Sequence, residues 1–414
     1  MSQQRSFNFR SEHVQSHSGG HSGNHNSTTH SNGKKQMTLP STTSSSSSSS
    51  TTTTTTMTRR HVVHSHDHPS SSSRKKLSHS DQVQEYLLSI ASSYPIIDIG
   101  INLTNHQFKD HQETISQVLK RCQLVNVKCV ILTGTSLRNS MESLSLVSKY
   151  QSGSTNSNGS GGSNSTNSNG GVNSSSNNTN FVQFLCTVGI HPHDAKSFKN
   201  ISELEQVITT HPQKESICMI GECGLDYNRM FSPKDVQIHC FKEQLRMATR
   251  LQKPIFCHER DAHHDFVECI QSVMKESHRT LPPLVVHCFT GTRNEAKKYI
   301  DMGFYIGLTG CVCMDERGKE LRDILKEGII PRDKLLIETD SPFMLPPLSG
   351  NNGQNVWKFV VNGGRRNEPC LLPHVVNTIA KCWNMEENKQ ELEKQLTENT
   401  ARFLMMDVKE LVGV

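Results

Sequence analysis

Apolar residues in this chain fall into short clusters that recur with a rhythm. Eight runs stand out: Ile96–Leu103, Lys128–Leu132, Phe181–Val188, Ser216–Ile220, Pro254–Cys257, Leu284–Val286, Phe304–Leu308 and Lys334–Ile337. Most are nearly continuous in apolar, often β-branched residues, which is how strands buried on both faces read. Between them the spacing becomes helical. Lys234–Leu251 and Asp261–Ser277 are the clearest amphipathic helices, and Gln82–Ser92 predicts a shorter one ahead of the first run. Strict β-α alternation argues for a parallel sheet. Eight units in roughly 280 residues argue for closure into an α/β (β/α)8 TIM barrel. Two last helices, within Pro373–Trp383 and Lys389–Leu404, are expected to pack outside it.

Two polar tracts interrupt the rhythm. Residues 1–80 are rich in His, Ser, Thr and Asn, with a Ser/Thr homopolymer from Ser41 to Thr56. So few apolar groups cannot repay chain entropy, and a disordered tail is expected. His61, His64, His66 and His68 belong to the same biased composition. Residues 151–180 are almost all Ser, Asn, Gly and Thr, between a helix ending at Tyr150 and the run starting at Phe181. The alternation resumes in step afterwards, so this is a disordered loop insertion rather than a linker. It falls in a helix-to-strand connection, on the face away from the strand C-termini. The folded domain is therefore expected over 81–414.

The tracts explain a hydrophobic content of only 33% and also distort the net charge of +5. Residues 1–80 hold nine Lys and Arg against two Asp and Glu, so the tail is +7 and the remainder is −2. The folded part is not a broadly basic nucleic-acid surface, so any such contact is local or metal-assisted. Thirteen scattered cysteines with no Cys-x-x-Cys read as buried free thiols of a reducing compartment. No apolar run is long enough to span a membrane, and the first residues lack the apolar core of a signal peptide. The expectation is a soluble intracellular protein of the cytoplasm or nucleus, with no obligate protein partner. Arg59-Arg60 and Arg74-Lys75-Lys76 are weak nuclear-localisation signals.

Chemistry gathers where four of the runs end. The fourth leads into Gly221-Glu222, the fifth delivers His258, the sixth His287, and the eighth leads through Glu338-Thr339 to Asp340. The C-terminal strand ends of a parallel barrel converge on one mouth. Mixed imidazole and carboxylate ligands there suit a catalytic divalent ion, Mg²⁺, Mn²⁺ or Zn²⁺, with an open water position. Each residue alone has a plainer reading, a structural histidine or, for Asp340 before Ser341-Pro342, a turn cap. Their recurrence at four strand ends is what favours a site. His191, after the third run, faces the same mouth as a contact for a phosphate or a transition state. His193 lies further round that loop. Arg260, Arg365 and Arg366 are candidates for bidentate phosphate contact, whereas Asn367 and Glu368 read as pins for their loop.

These residues sit in longer motifs. Asp98-Ile99-Gly100-Ile101-Asn102-Leu103-Thr104, Thr133-Gly134-Thr135, Gly189-Ile190-His191-Pro192-His193-Asp194, Gly221-Glu222-Cys223-Gly224-Leu225-Asp226, His287-Cys288-Phe289-Thr290-Gly291-Thr292, Ile337-Glu338-Thr339-Asp340-Ser341-Pro342 and Arg365-Arg366-Asn367-Glu368-Pro369 follow in order. Together they resemble the TatD family of metal-dependent deoxyribonucleases, from about Ile96 to Leu404. The resemblance implies a TIM-barrel hydrolase that cleaves DNA phosphodiesters in an exonuclease-like manner. It places metal ligands at Glu222, His258, His287 and Asp340, a pocket histidine at His191, and catalytic work on Asp340, Glu222 and His191. Two departures follow. Gly100 and Asn102 stand where many members carry His-x-His, as in the TatD branch itself, so one tight metal site and at most a weaker second are expected. Glu259 stands where an uncharged residue such as Cys is expected, and should point away from the ion. Two other readings compete: an amide or lactone hydrolase of the wider barrel superfamily, and a non-catalytic interaction protein with a relic site. The first needs a modified lysine at the fourth strand end, and Lys214 precedes that strand. The second needs a missing ligand, and none of the four is missing.

Overall fold

A computed structural model describes residues 77–109, 114–152, 182–348, 353–361 and 364–413. Apart from Leu77–Ser80, Gln151 and Ser152, the two polar tracts lie outside the described residues.

Eight parallel strands form one sheet in sequential order: β1 (Ile96–Ile101), β2 (Val127–Leu132), β3 (Gln183–Val188), β4 (Ile217–Asp226), β5 (Ile255–Arg260), β6 (Leu284–Val286), β7 (Tyr305–Leu308) and β8 (Leu335–Ile337). The first and last meet through a parallel bridge between Ile101 and Ser341 and an Asp340 N–H donated to the Gly100 carbonyl at 2.9 Å. The result is the expected (β/α)8 barrel, with a helix or helical turn after each strand.

The continuous apolar runs have a direct cause. One set of strand residues, including Ile97, Ile99, Ile131, Leu185, Met219, Phe256, Val285 and Leu336, fills the barrel interior. The alternate set, including Val130, Phe184, Ile220, Ile255, Val286 and Ile306, packs under the helices. Both faces are buried, so the strands read as nearly continuous apolar runs, broken before the mouth only by residues such as Lys128, Gln183, Asp98 and Thr187. All thirteen cysteines are free and eleven are buried, so packing rather than cross-linking holds the barrel.

The structure differs from expectation in two places. The helices Lys389–Leu404 and Val408–Val412 are not simply external: Phe403, Leu404, Leu411 and Val412 join the interior cluster, with Phe403 5.2 Å from the Tyr305 ring. Asn399 Nδ2 donates to the Leu335 carbonyl at the start of β8, so this segment closes the floor of the barrel. Second, β4 and β5 run beyond Ile220 and Cys257, to Asp226 and Arg260, so Glu222 and His258 lie within strands. Among the described residues no helix is long and apolar enough to cross a membrane.

Candidate active site

The longer β4 explains how Glu222 reaches the mouth. Gly221 pairs with Phe256 and Cys223 with Cys257, which leaves Glu222 as the extra residue of a β-bulge. Both flanking glycines have φ of +142°, and a methyl group on either would overlap a β5 carbonyl, that of Phe256 or His258. The glycines therefore permit close approach of the two strands. The other site residues follow ordinary strand parity. Val285 and His287, Phe256 and His258, and Leu336, Glu338 and Asp340 alternate onto the interior face.

Glu222 is buried, and one oxygen of it, Oε1, faces three imidazoles: His287 Nε2 at 2.8 Å, His258 Nδ1 at 3.1 Å and His191 Nε2 at 3.2 Å. Burial opposes its charge. The nearby His191 and His287 rings and the hydrogen bonds of His191 and His258 outweigh burial and hold the carboxyl well below its usual range. The opposite nitrogen of each ring distinguishes the three. His287 stands between two carboxylates, Nδ1 3.4 Å from Glu338 Oε2 and Nε2 2.8 Å from Glu222 Oε1, and against burial they hold its pKa well above the usual range. With a cation in place of the Nε2 proton, the ring would keep its Nδ1–H on Glu338 and turn an Nε2 lone pair to the site. His258 is placed alike, Nε2 3.3 Å from Asp226 Oδ2 and Nδ1 3.1 Å from Glu222 Oε1. Against burial, these carboxylates raise its pKa, and a bound cation would take the place of the Nδ1 proton while Nε2–H stayed on Asp226. His191 is the reverse. Its Nδ1 accepts the His193 backbone N–H at 3.0 Å, so its proton sits on Nε2 and points at Glu222. Burial pushes His191 down to about 4, against the raising effect of Glu222, so the ring is neutral near pH 7.

Asp340, half-buried with φ of +52°, accepts Asn102 Nδ2 on Oδ1 at 2.9 Å. Burial raises its carboxyl to about 7; His287 works against the rise, and Glu338 and Glu222 add to it. Asn102 therefore has a role where an imidazole was looked for. Gly100 has one too: a side chain there would overlap Glu338 Oε2, so the glycine makes room for the carboxylate behind His287. Glu338 also accepts the Cys288 N–H at 2.5 Å.

The remaining candidates are placed as follows. His193 Nε2 binds Asp226 Oδ2 at 2.8 Å, beside His258. Arg260 ends β5, half-exposed at the mouth, and Arg365 is exposed in a late loop. Arg366 turns inward: buried, it donates to Glu368 at 2.5 Å and to the Gln107 carbonyl at 2.9 Å, over the Phe108 ring. Its guanidinium is engaged in packing, unlike the phosphate contact read for it. Asn367 Nδ2 donates to the Thr339 and Phe343 carbonyls, pinning the loop after β8. Glu259 points away from the mouth, accepting from Tyr299 Oη and Ala262 N, both at 2.8 Å.

Asp226 and Glu338 join the candidate site without having been singled out in the sequence. Glu338 was accessible from parity with Asp340; Asp226 was not, because the bulge resets parity along β4. The donors fit a divalent cation. Ligand atoms of His191, Glu222 and His258 lie within 4.8 Å of one another, but the carboxylates behind His258 and His287 favour those two rings as cation ligands and leave His191 as an N–H donor.

Comparison with known proteins agrees with this architecture. Residues 97–405 match the model of the TatD related DNase family. The "3'-5' ssDNA/RNA exonuclease TatD" of Citrobacter rodentium is 36% identical over 297 residues, 71% of this chain and 92% of that protein. That of Klebsiella pneumoniae is 35% identical over 320 residues, 76% of this chain and 99% of that protein. Among solved structures, a TatD family hydrolase from Entamoeba histolytica has a TM-score of 0.58 at 23% identity, over 76% of this chain and 99% of its own. A TatD homologue from Escherichia coli has a TM-score of 0.55 at 22% identity, over 75% of this chain and 98% of its own. With its barrel, its ordered motifs and relatives matched over nearly their full length, the chain belongs to the TatD related DNase family.

Proposed function

We propose that this protein is a divalent-metal-dependent deoxyribonuclease that hydrolyses DNA phosphodiesters from a strand end. The observation that carries the reading is a set of donors, Glu222, His258, His287 and Asp340, in which the two histidines are backed by the carboxylates Asp226 and Glu338. These four residues would hold the cation. When bound, it neutralises phosphate charge and makes hydroxide available near neutral pH. The protein's own groups do the rest. Asn102 engages Asp340 Oδ1, and Oδ2 is the oxygen assigned to orient the attacking water and take its proton. His191 Nε2–H donates to a non-bridging phosphate oxygen, where negative charge grows as the bond forms. His193, held by Asp226, lines the same wall. Arg260 and Arg365 supply charge at the rim for neighbouring phosphates. The named activity of the bacterial relatives supports cleavage from a 3' end.

The amide or lactone hydrolase reading lacks its lysine. Lys214 lies in the helical turn before β4, at the far end of that strand from Glu222. Labelled single- and double-stranded DNA, incubated with purified protein and a panel of Mg²⁺, Mn²⁺ and Zn²⁺, tests the proposal and identifies the working ion. Metal-dependent release of nucleotides from one end is expected. Uncut DNA across the whole panel would overturn the reading.

A further inference from the structure

Most of the apolar surface near the mouth is buried, and two aromatic rings there are not, nor is Met230, 42% exposed beside one of them. Phe231, in the loop after β4, is 55% exposed, and Phe343, in the loop after β8, is 47% exposed. In an eight-stranded barrel those loops stand on opposite sides of the mouth. Neither ring is on a loose segment. Asp226 Oδ1 accepts the N–H groups of Asn228 and Arg229, both at 2.9 Å. Beyond the ring, the buried Ser232 donates its hydroxyl to the His193 carbonyl at 3.0 Å, and its own carbonyl accepts Gln237 Nε2 at 2.8 Å. The Phe343 N–H donates to the Asp340 carbonyl at 2.9 Å, and the Phe343 carbonyl accepts Asn367 Nδ2 at 2.7 Å.

Each ring also adjoins a methionine in the left-handed region, Met230 at φ +44° and Met344 at φ +49°. A backbone that pays strain and still leaves an aromatic ring in water points to an occupant for that ring. The rings adjoin the site. Phe231 stands edge-on to His193, centroids 4.8 Å apart, and Phe343 is three residues from Asp340.

We propose that Phe231 and Phe343 are stacking platforms for unpaired nucleobases on either side of the scissile phosphate. This rests on the nuclease reading above. A base inside a duplex has both faces covered by its neighbours, whereas an unpaired base offers a face to a protein ring. Rings tolerate any base, so the platforms select single-stranded or frayed ends without reading sequence.

The test uses the full-length protein with each ion of the Mg²⁺, Mn²⁺ and Zn²⁺ panel and a single-stranded oligonucleotide with either an ordinary 3' end or three terminal abasic nucleotides. Phe231→Ala and Phe343→Ala should each raise KM on the ordinary end by roughly 5- to 150-fold. Phe231→Trp and Phe343→Trp should keep the wild-type KM, which a general loosening of the loop would not allow. On the abasic end the wild type should already show the raised KM, and the alanine variants should add nothing. Wild-type cleavage with unchanged KM in both alanine variants overturns the platforms and leaves the nuclease reading standing. So does an equal loss on ordinary and abasic ends. A wild type that cleaves neither strand overturns the nuclease reading, and the platforms with it.

Discussion

His191 and His287 present the same imidazole to the same oxygen of Glu222, yet their outer nitrogens meet opposite partners. A backbone N–H on His191 makes it a proton donor, and a carboxylate behind His287 would make it a lone-pair donor to a bound cation. Removing Glu338's charge should therefore loosen the cation without touching it. Glu338→Gln is expected to weaken metal affinity by about 10- to 100-fold, and Glu222→Ala to abolish it. His191→Ala should leave affinity near wild type while lowering kcat by about 10²–10³. Calorimetric titration with Mn²⁺, alongside turnover, separates these cases, and the wild type should show one tight event. Two equally tight ions would contradict the account. At this scale the histidines and Asp340 were legible, because each closes an apolar run. Glu338 shares the parity of Asp340, whereas Asp226 was not legible, since the bulge in β4 resets parity there.

At the scale of elements, the eight strands were legible because burial on both faces writes continuous apolar runs. The ends of β4 and β5 were not. Residues 221–226 mix glycines with carboxylates and look like a turn, and a bulge leaves no mark in composition. The bulge should be sensitive to small changes. Gly224→Ala places a β-carbon at φ +142° against the His258 carbonyl. It should cost at least about 1–3 kcal/mol in urea unfolding, and an unchanged midpoint would contradict the close approach. Left-handed backbone also gathers at the mouth. Met230, Asp261, Cys288, Asp340 and Met344 all follow strand C-termini, which is half of the described non-glycine residues with positive φ.

The outer layer carries a separate pH dependence. His374, on the helix Leu372–Cys382, meets Tyr86 Oη of the helix His79–Ile90 at 2.8 Å, and burial lowers its pKa to about 4. The unfolded chain, with a value near 6.5, then binds more protons between about pH 4 and pH 6.5. This contribution to stability is therefore complete above that window and is lost as pH falls through it. His374→Gln should lose about 1–2 kcal/mol less than wild type between pH 7 and pH 5, after discounting for partial exposure. Parallel urea titrations at the two pH values check this, and identical losses would refute it.

Taken whole, the barrel has one closed end and one end where the candidate site gathers. The C-terminal segment seals the floor with Phe403, Leu404, Leu411 and Val412, while the mouth gathers carboxylates and imidazoles from β3, β4, β5, β6 and β8. Alternation made the barrel legible, but the sealed floor was hidden, because an apolar helix end reads alike whether it packs outside or plugs the base. The central claim is that the mouth hydrolyses DNA with Asp340 handling the proton of the attacking water. The most direct measurement compares wild type and Asp340→Asn on a single-stranded oligonucleotide, recording DNA binding and cleavage rate with metal present, after chelation and after metal is restored. Chelation should stop the wild type and added ion should restart it. Asp340→Asn should bind DNA near normally and cleave about 10²–10⁴ more slowly. Cleavage by Asp340→Asn at the wild-type rate would contradict the account, as would a metal-loaded wild type that leaves DNA uncut yet hydrolyses amides or lactones.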